Sequence, residues 1–194
     1  EKGKNRHIIY EERLHGKLES DDMQNMAMAY AVSKEKKREV ITKMITELCV
    51  SGVNSIVKKE ERLQQIRSLF DLDGITIYSE SGAQLVCRNG NYMVEVPDGR
   101  GLFEDEKYLA LFGDDDNFIE SNTLKLRSQD PAAFAVMQKQ EIGAFLQCLS
   151  RKEGVPNVIV NYDVFNRNRK WSDEDITLLT ILGHCIGNLL NYSE

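Results

Sequence analysis

The sequence predicts an α+β domain in which an antiparallel sheet of about five or six strands has long helices from both chain ends on one face. Three observations support this fold class. Apolar residues recur every three or four positions near both ends of the chain, which is typical of amphipathic helices. Short β-branched stretches lie between those ends. Tight-turn sequences separate these stretches, and strands joined by tight turns pair antiparallel.

The first long helix is predicted over residues 20–58, with Ser20 suited to accept hydrogen bonds from its first free N–H groups. A charged stretch at residues 34–39 precedes a stripe of apolar residues spaced three and four apart. That stripe consists of Val40, Ile41, Met44, Ile45, Leu48 and Cys49. Leu63, Ile66 and Leu69 indicate a second helix that ends near Asp71.

The pattern changes to a period of two after this helix. Residues 74–79 alternate and are β-branched, so they predict a strand, and residues 83–88 its hairpin partner. A third strand is predicted at residues 92–96, ended by Pro97-Asp98-Gly99, and a short helix at residues 104–112.

The second half of the chain repeats this alternation. Pro131, favoured in the first helical turn, opens a helix predicted over residues 131–140. Two long strands are predicted at residues 142–149 and 155–164, joined by a turn at Lys152-Glu153-Gly154.

A strongly apolar helix closes the chain. Ser172 is a suitable N-cap, and the three acidic residues at 173–175 suit the positive end of the helix dipole. The apolar face that follows is broader than one sheet contact needs, so we expect it to pack on a second helix. That helix belongs either to the same chain or to a second copy in a parallel homodimer. The residues predicted to dimerise or relay motion are Val40, Met44, Leu48, Leu179, Leu182, Ile186 and Leu189.

Composition excludes several functions. The net charge of −6 offers no electrostatic reason to bind nucleic acid. No apolar run approaches the roughly 20 residues of a membrane span, and no signal peptide is evident, so we expect a cytoplasmic location.

Catalytic and metal motifs are also missing. The four cysteines form no C-x-x-C pair, and His184 and its neighbour Cys185 point about 100° apart on a helix, so they are no ready dyad. The acidic loop at residues 114–116 lacks the spacing of a calcium loop. We predict no catalytic residue, no metal site and no cofactor.

Residues 141–190 resemble the C-terminal half of a GAF domain. The resemblance lies in the strand at 142–146, the hairpin through Gly154, the strand at 158–162 and, most tellingly, the segment at 169–175 before the last helix. It extends over about residues 40–192 and implies a GAF/PAS-like sheet. Pro156-Asn157 departs from the family, which often has a glycine near that position.

The resemblance implies a small-molecule pocket between the sheet and the short middle helices. The residues expected to line it, each equally well explained as ordinary core, are Tyr92, Leu126, Phe134, Met137, Gln138 and Phe145. The cyclic-nucleotide signature of the family is matched only loosely at residues 166–174. Attachment of a bilin requires a reactive cysteine, whereas Cys148 lies in a predicted strand. The clustered cysteines of the few GAF proteins with methionine sulfoxide reductase activity are not evident either.

The first ten residues, EKGKNRHIIY, resemble the end of a GGDEF domain, a domain that makes or binds cyclic di-GMP. The domain organisation predicted is a GGDEF tail at residues 1–12, a helical linker at 13–39 and a GAF-like domain at 40–194. The resulting hypothesis is a regulatory and dimerisation module of a bacterial cyclic di-GMP protein, the full-length protein being a diguanylate cyclase or a related enzyme. The alternative is a sensor domain with a filled pocket that binds a small molecule, either a nucleotide or a metabolite.

Overall fold

The computed structural model describes residues 20–51, 60–88 and 97–191. The chain forms two compact units, Glu1–Arg38 and Glu39–Glu194. The helices are α1 (Ser20–Ser51), α2 (Glu60–Leu69), α3 (Glu106–Leu109), α4 (Leu126–Gln129), α5 (Pro131–Lys139) and α6 (Asp173–Asn191), with 3₁₀ turns at Arg100–Phe103 and Thr123–Lys125. The strands are β1 (Gly74–Ser79), β2 (Gly82–Arg88), β3 (Asn117–Glu120), β4 (Ile142–Lys152) and β5 (Val155–Phe165).

The sheet of the second unit has five strands within the described residues, in the order β2-β1-β5-β4-β3, and its neighbours all pair antiparallel. The predicted α+β fold class is therefore confirmed. The β4–β5 hairpin turns at Glu153 and Gly154, whose φ angles of 55° and 86° are both left-handed. Two consecutive left-handed residues match the right-handed twist of the flanking strands, so the glycine here has a conformational reason.

Helices α1, α2 and α6 pack on one face of the sheet, as the sequence predicted. Their core includes Ile41 and Met44 of α1, Ile66 of α2 and Leu182 of α6, each at most 2 % exposed. Helix α6 approaches the sheet closely because Gly183 faces it: an added Cβ there would lie 2.6 Å from the Cys148 sulfur.

Short elements cover the opposite face. Tyr108 of α3, Phe112, Phe118 of β3 and Phe145 of β4 meet edge to face, the geometry that aromatic quadrupoles favour. Phe145 is fully buried and belongs to a core separate from that of the helices. The sheet is thus buried on both faces, so a polar side chain on either face lies inside the protein.

Side-chain hydrogen bonds and an ion pair hold the start of α6. Ser172 Oγ accepts a hydrogen bond of 3.1 Å from the Asp175 N–H, which confirms the predicted N-cap. The Arg169 guanidinium donates to Asp175 at 2.9 Å and lies 4.3 Å from the centre of the Trp171 ring. It also donates a hydrogen bond of 2.6 Å to the carbonyl of Phe70, the residue that directly follows α2. One arginine therefore ties the first turn of α6 to the end of α2.

Several local expectations differ from the structure. Strand β3 follows the acidic loop directly and was not predicted, because four residues are too few for a periodic pattern. The helix expected over 104–112 is limited to α3, which continues as turns. The predicted strand at 92–96 and residues 52–58 of the first helix lie outside the described residues. None of the helices in the described ranges combines the length and apolar character needed to cross a bilayer.

Candidate ligand cavity

A cavity of about 270 Å³ lies on the face of the sheet opposite α6. Its volume is close to the lower end of small-molecule sites, which run from roughly 300 to 1,000 Å³. The sheet supplies the floor, and α5 with the segment from Pro97 to Asp105 supplies the walls. The lining residues are Tyr78, Arg88, Pro97, Gly99, Gly101, Leu102, Asp105, Tyr108, Val136, Met137, Gln140, Ile142, Asn161 and Asp163.

Asn161 and Asp163 form the polar part of the floor. They alternate with Val160 and Tyr162 on β5, so their side chains share the face away from α6. Asn161 is 5 % exposed and Asp163 is 1 % exposed. The Oδ1 atom of each has no hydrogen-bond partner among the described residues. A buried acceptor without a partner costs about 1–3 kcal/mol, so two on one strand are an unused hydrogen-bonding capacity at the cavity floor.

The Asp163 carboxyl is unusually hard to ionise. Its pKa is raised from 3.8 to about 7, mainly by burial, while the Arg88 guanidinium lowers the pKa and the nearby Asp73 raises it. A carboxyl with a pKa near neutrality inside a cavity is more common at functional sites than on surfaces.

A row of buried polar residues crosses the sheet beside this carboxyl. Asn161 pairs with Thr76 on one side and with Gln147 on the other. The Gln147 amide oxygen accepts a hydrogen bond of 2.6 Å from the Tyr108 hydroxyl, while its nitrogen and the Thr76 hydroxyl have no partner among the described residues. The row therefore leaves hydrogen-bonding capacity unused in the middle of the sheet.

Arg88 brings a positive charge to the cavity wall. Its guanidinium donates at 2.9 Å to the Gln140 side chain and lies 5.2 Å from the centre of the Phe165 ring. Phe165 packs on Gly74, where an added Cβ would come within 3.0 Å of the ring. The cavity lining therefore includes a basic residue on β2 as well as the acidic Asp163 on β5.

The segment from residues 97 to 105 closes the cavity from above. Gly99 lies directly on the Tyr78 ring, and a Cβ at this position would overlap the ring. The Asp105 carboxylate accepts from the N–H groups of Lys107 and Tyr108, both at 3.1 Å, and so caps α3. This cap places Tyr108 over the sheet.

The residues that the sequence suggested for the pocket are dispersed. Met137 lines the cavity. Phe134 and Gln138 line a second, more open hollow of about 210 Å³. Leu126 and Phe145 are fully buried in the core, and Tyr92 lies outside the described residues.

Sequence reasoning missed Arg88, Asn161 and Asp163. A signal was present, because Asn161 and Asp163 interrupt an otherwise apolar strand at alternate positions. Alternating polar residues commonly mark a solvated face, so this pattern alone does not indicate a site.

The residues proposed to relay or dimerise lie on the other side of the sheet. Five of them are at most 1 % exposed within the core of this chain: Met44, Leu48, Leu179, Leu182 and Ile186. Val40 and Leu189 are half-buried against that core. The broad apolar face of α6 is thus occupied largely by α1, α2 and the sheet of the same chain.

The four cysteines lie outside the cavity lining. Cys87 and Cys148 are buried on the helical side of the sheet, and burial raises the pKa of the Cys148 thiol well above its usual range. Cys49 of α1 and Cys185 of α6 are far apart in sequence, but Cys49 lies near enough to raise the pKa of the Cys185 thiol, in addition to the larger effect of burial. Within the described residues, no three His, Cys, Asp or Glu side chains form a group that could hold a metal ion.

Comparison with known proteins places the fold. No family model matches the sequence, and no curated protein is significantly similar to it. The chromophore-binding domain of a bacteriophytochrome from Stigmatella aurantiaca is similar, with a TM-score of 0.61 and 14 % identity over 83 % of this chain and 61 % of its own. A far-red-absorbing protein with bound biliverdin has a TM-score of 0.58 and 13 % identity over 79 % of this chain and 98 % of its own. The PixJ GAF domain of Thermosynechococcus elongatus has a TM-score of 0.53 and 11 % identity over 82 % and 88 %. The chain therefore has the GAF fold.

The prediction of no cofactor for this chain is wrong in the light of these similar structures, one of which holds biliverdin. The cavity of this chain does not fit a bilin attached through a thioether. None of the four cysteines lines it, although all four lie in the described residues. The volume of about 270 Å³ also suits a much smaller molecule than an open-chain tetrapyrrole.

Proposed function

We propose that this chain is a GAF-type sensory domain that binds a small molecule in the cavity above Asn161 and Asp163. The observation that carries the proposal is the pair of buried acceptors that face the cavity and have no hydrogen-bond partner among the described residues. Bound ligands in proteins of the same fold support it, since one similar structure contains biliverdin. This function corresponds to the sensor alternative from the sequence rather than to a module that works by helix packing alone.

A chain of contacts leads from the cavity to α6. The Asp163 carbonyl accepts from the Asp73 N–H at 2.9 Å, and the Asp73 carboxylate accepts from Arg167 at 2.6 Å. Arg167 also donates to the Asp71 carbonyl at 2.9 Å, the same carbonyl that Arg169 contacts at 3.0 Å. Arg169 holds the start of α6. In the proposed function, a ligand that shifts β5 would thereby bias the position of the last helix.

A cavity-filling variant tests the proposal. Val136 lines the cavity and is 44 % exposed, so Val136→Trp fills the mouth without disrupting the core. Val155→Trp is the matched control, because Val155 is 58 % exposed on the β4–β5 hairpin and lines no part of the cavity. Both proteins are screened against a metabolite library by thermal shift and analysed by native mass spectrometry. A copurified mass or a melting shift that Val136→Trp removes and Val155→Trp keeps supports the function. If no compound or copurified mass distinguishes the two variants, the proposal fails.

The wider setting is also a proposal. The match to a GGDEF tail falls on residues 1–12, which lie outside the described residues, so the link to cyclic di-GMP rests on sequence alone. The gene sequence upstream of Glu1 tests it, and a missing GGDEF signature there would remove the link.

A separate observation supports the proposal that the protein dimerises through α1. Met26, Met28, Tyr30 and Val32 are 60–67 % exposed, an unusual density of apolar side chains on one solvated helix. A second copy of α1 is the proposed partner. Light scattering at tens of micromolar tests this, and a strict monomer would contradict it.

A further inference from the structure

The floor of the cavity offers hydrogen-bond acceptors to a ligand. Asn161 Oδ1 and Asp163 Oδ1 are buried and have no hydrogen-bond partner among the described residues. They lie two residues apart on one strand, so at about 3.3–3.4 Å of rise per residue their Cα atoms are roughly 7 Å apart, and one small ligand can reach both. A ligand that carries only acceptors, such as a carboxylate or a phosphate, would leave both oxygens unsatisfied.

The charged residues around the cavity already act on one another. Arg88 pairs with Gly74, and Gly74 pairs in turn with Asp163, so strands spaced about 4.8 Å apart place the two charged residues roughly 10 Å from each other. Burial raises the pKa of Asp163, and the Arg88 guanidinium lowers it. The other acidic residue of the lining, Asp105, is exposed and caps α3. A charged ligand would lose its hydration and add a further charge beside this opposite pair, so an uncharged ligand is favoured.

The cavity also offers a hydrogen-bond donor. Tyr78 lines the cavity, and Gly99 lies so close to its ring that an added Cβ would overlap it. Burial and the nearby Asp163 raise the pKa of the Tyr78 hydroxyl well above its usual range. The hydroxyl therefore keeps its proton at neutral pH and can donate to an oxygen of the ligand.

These features favour an amide over other groups that carry N–H or O–H donors. A primary amide presents two N–H donors on one nitrogen and an acceptor oxygen beside them, and it carries no charge. An aliphatic amine, with a pKa of about 10, is protonated at neutral pH and so adds a charge. A hydroxyl presents only one donor. The walls formed by Leu102, Val136, Met137 and Ile142 are apolar and suit a hydrocarbon body.

We infer that the cavity binds an uncharged primary amide with an apolar body, its NH₂ group on Asn161 Oδ1 and Asp163 Oδ1 and its carbonyl toward the Tyr78 hydroxyl. This inference rests on the proposed function and names the ligand class for the same cavity. The volume of about 270 Å³, near the lower end of small-molecule sites, suits a compact amide.

Probes that differ only in the polar group test this ligand class. Benzamide and 3-methylbutanamide are each compared with the amine, the alcohol and the carboxylate built on the same hydrocarbon body, by thermal shift and isothermal titration. At ten times its Kd, the better amide should raise the melting temperature by about 3–6 °C. We expect the other compounds to bind at least about tenfold more weakly than their amide. An amine, alcohol or carboxylate that binds as tightly as its amide would overturn the inference.

Variants separate recognition by hydrogen bonds from recognition by charge. Asn161→Leu and Asp163→Leu each replace an acceptor by an apolar group of similar shape, so each should weaken amide binding about tenfold. Asp163→Asn removes the charge and keeps an acceptor oxygen, so it should leave the amide affinity almost unchanged. Thr76→Val is the matched control, because it removes a buried hydroxyl of the same sheet that does not line the cavity. Melting curves without ligand confirm that each variant is folded. Equal losses of affinity in Asp163→Asn and Asp163→Leu would contradict the inference, since the charge would then be what the ligand recognises.

The outcomes separate this inference from the proposed function. If the amides do not bind but another compound class shifts the wild type and not Val136→Trp, the sensor function stands and the amide inference is wrong. If amides shift the wild type and Val136→Trp equally, binding occurs outside the cavity and the inference is also wrong. Loss of amide binding in Val136→Trp and in both leucine variants, with binding kept in Asp163→Asn, supports both.

Discussion

The stability of Asp163→Asn relative to the wild type should increase as the pH rises from 4 to about 7. In the folded protein the pKa of Asp163 is about 7, against 3.8 for an ordinary aspartate, and burial is the main cause. Between these two values the folded state holds a proton that the unfolded state has lost. Stability therefore falls through this window as the pH rises and is constant above it. Asparagine has the same shape and does not titrate.

The magnitude follows from the two pKa values. Each pH unit between them corresponds to about 1.4 kcal/mol, so the wild type should lose about 4 kcal/mol from this group between pH 4 and pH 8. The charged and titratable groups that face Asp163 are Arg88, Asp73, Tyr78 and Tyr108. The variant also loses the attraction between Asp163 and Arg88. This loss adds a constant to the difference in unfolding free energy, whereas the prediction concerns how that difference changes with pH.

Urea unfolding of wild type and variant at pH 5, 6, 7 and 8 measures this difference. We expect the free energy of unfolding of Asp163→Asn minus that of the wild type to grow from pH 5 to about pH 7 and to level off by pH 8. Asp114→Asn, at an exposed turn position, should show no comparable trend. A difference that stays constant from pH 5 to pH 8 would refute the reasoning, since the carboxyl would then titrate alike in both states.

Two further predictions concern the helical face. Gly187→Ala should lower the free energy of unfolding by about 1–3 kcal/mol, because the new Cβ would overlap the Ser150 hydroxyl, whereas Gly101→Ala, with nothing within 4 Å, should be nearly neutral in urea unfolding. A neutral Gly187→Ala would mean that α6 does not approach the sheet so closely. Iodoacetamide should label the exposed Cys49 before Cys185, whose thiol pKa is raised by partial burial and by the neighbouring Cys49. Peptide mass spectrometry follows the order, and faster labelling of Cys185 would contradict this arrangement.

Much of the fold was predictable because it depends on local chemistry. The turn at Glu153 and Gly154, the cap at Ser172 and the proline that opens α5 each act within a few residues. Apolar periodicity located the long helices for the same reason. Strand β3 was not predicted, because its four residues derive their conformation from pairing with β4, which is distant in sequence.

The candidate site was mostly unpredictable for a related reason. The alternation of polar and apolar residues in β5 indicates that Asn161 and Asp163 share a face of the sheet. The same pattern, however, is typical of strands that have one face in water. Only the tertiary structure decides that α3, α5 and the segment from residue 97 cover that face and enclose a cavity there. The proximity of Cys49 to Cys185 is likewise a consequence of helix packing.

The sequence by itself thus determined which segments form helices and strands and which side chains share a face. The tertiary structure decided what each face meets. Covering the face with Asp163 removes the carboxyl from water and raises its pKa, and it brings Arg88 to the same cavity from a strand 75 residues earlier in the chain. The cost of a buried polar group depends on the whole enclosure around it, and no local pattern of residues encodes that enclosure.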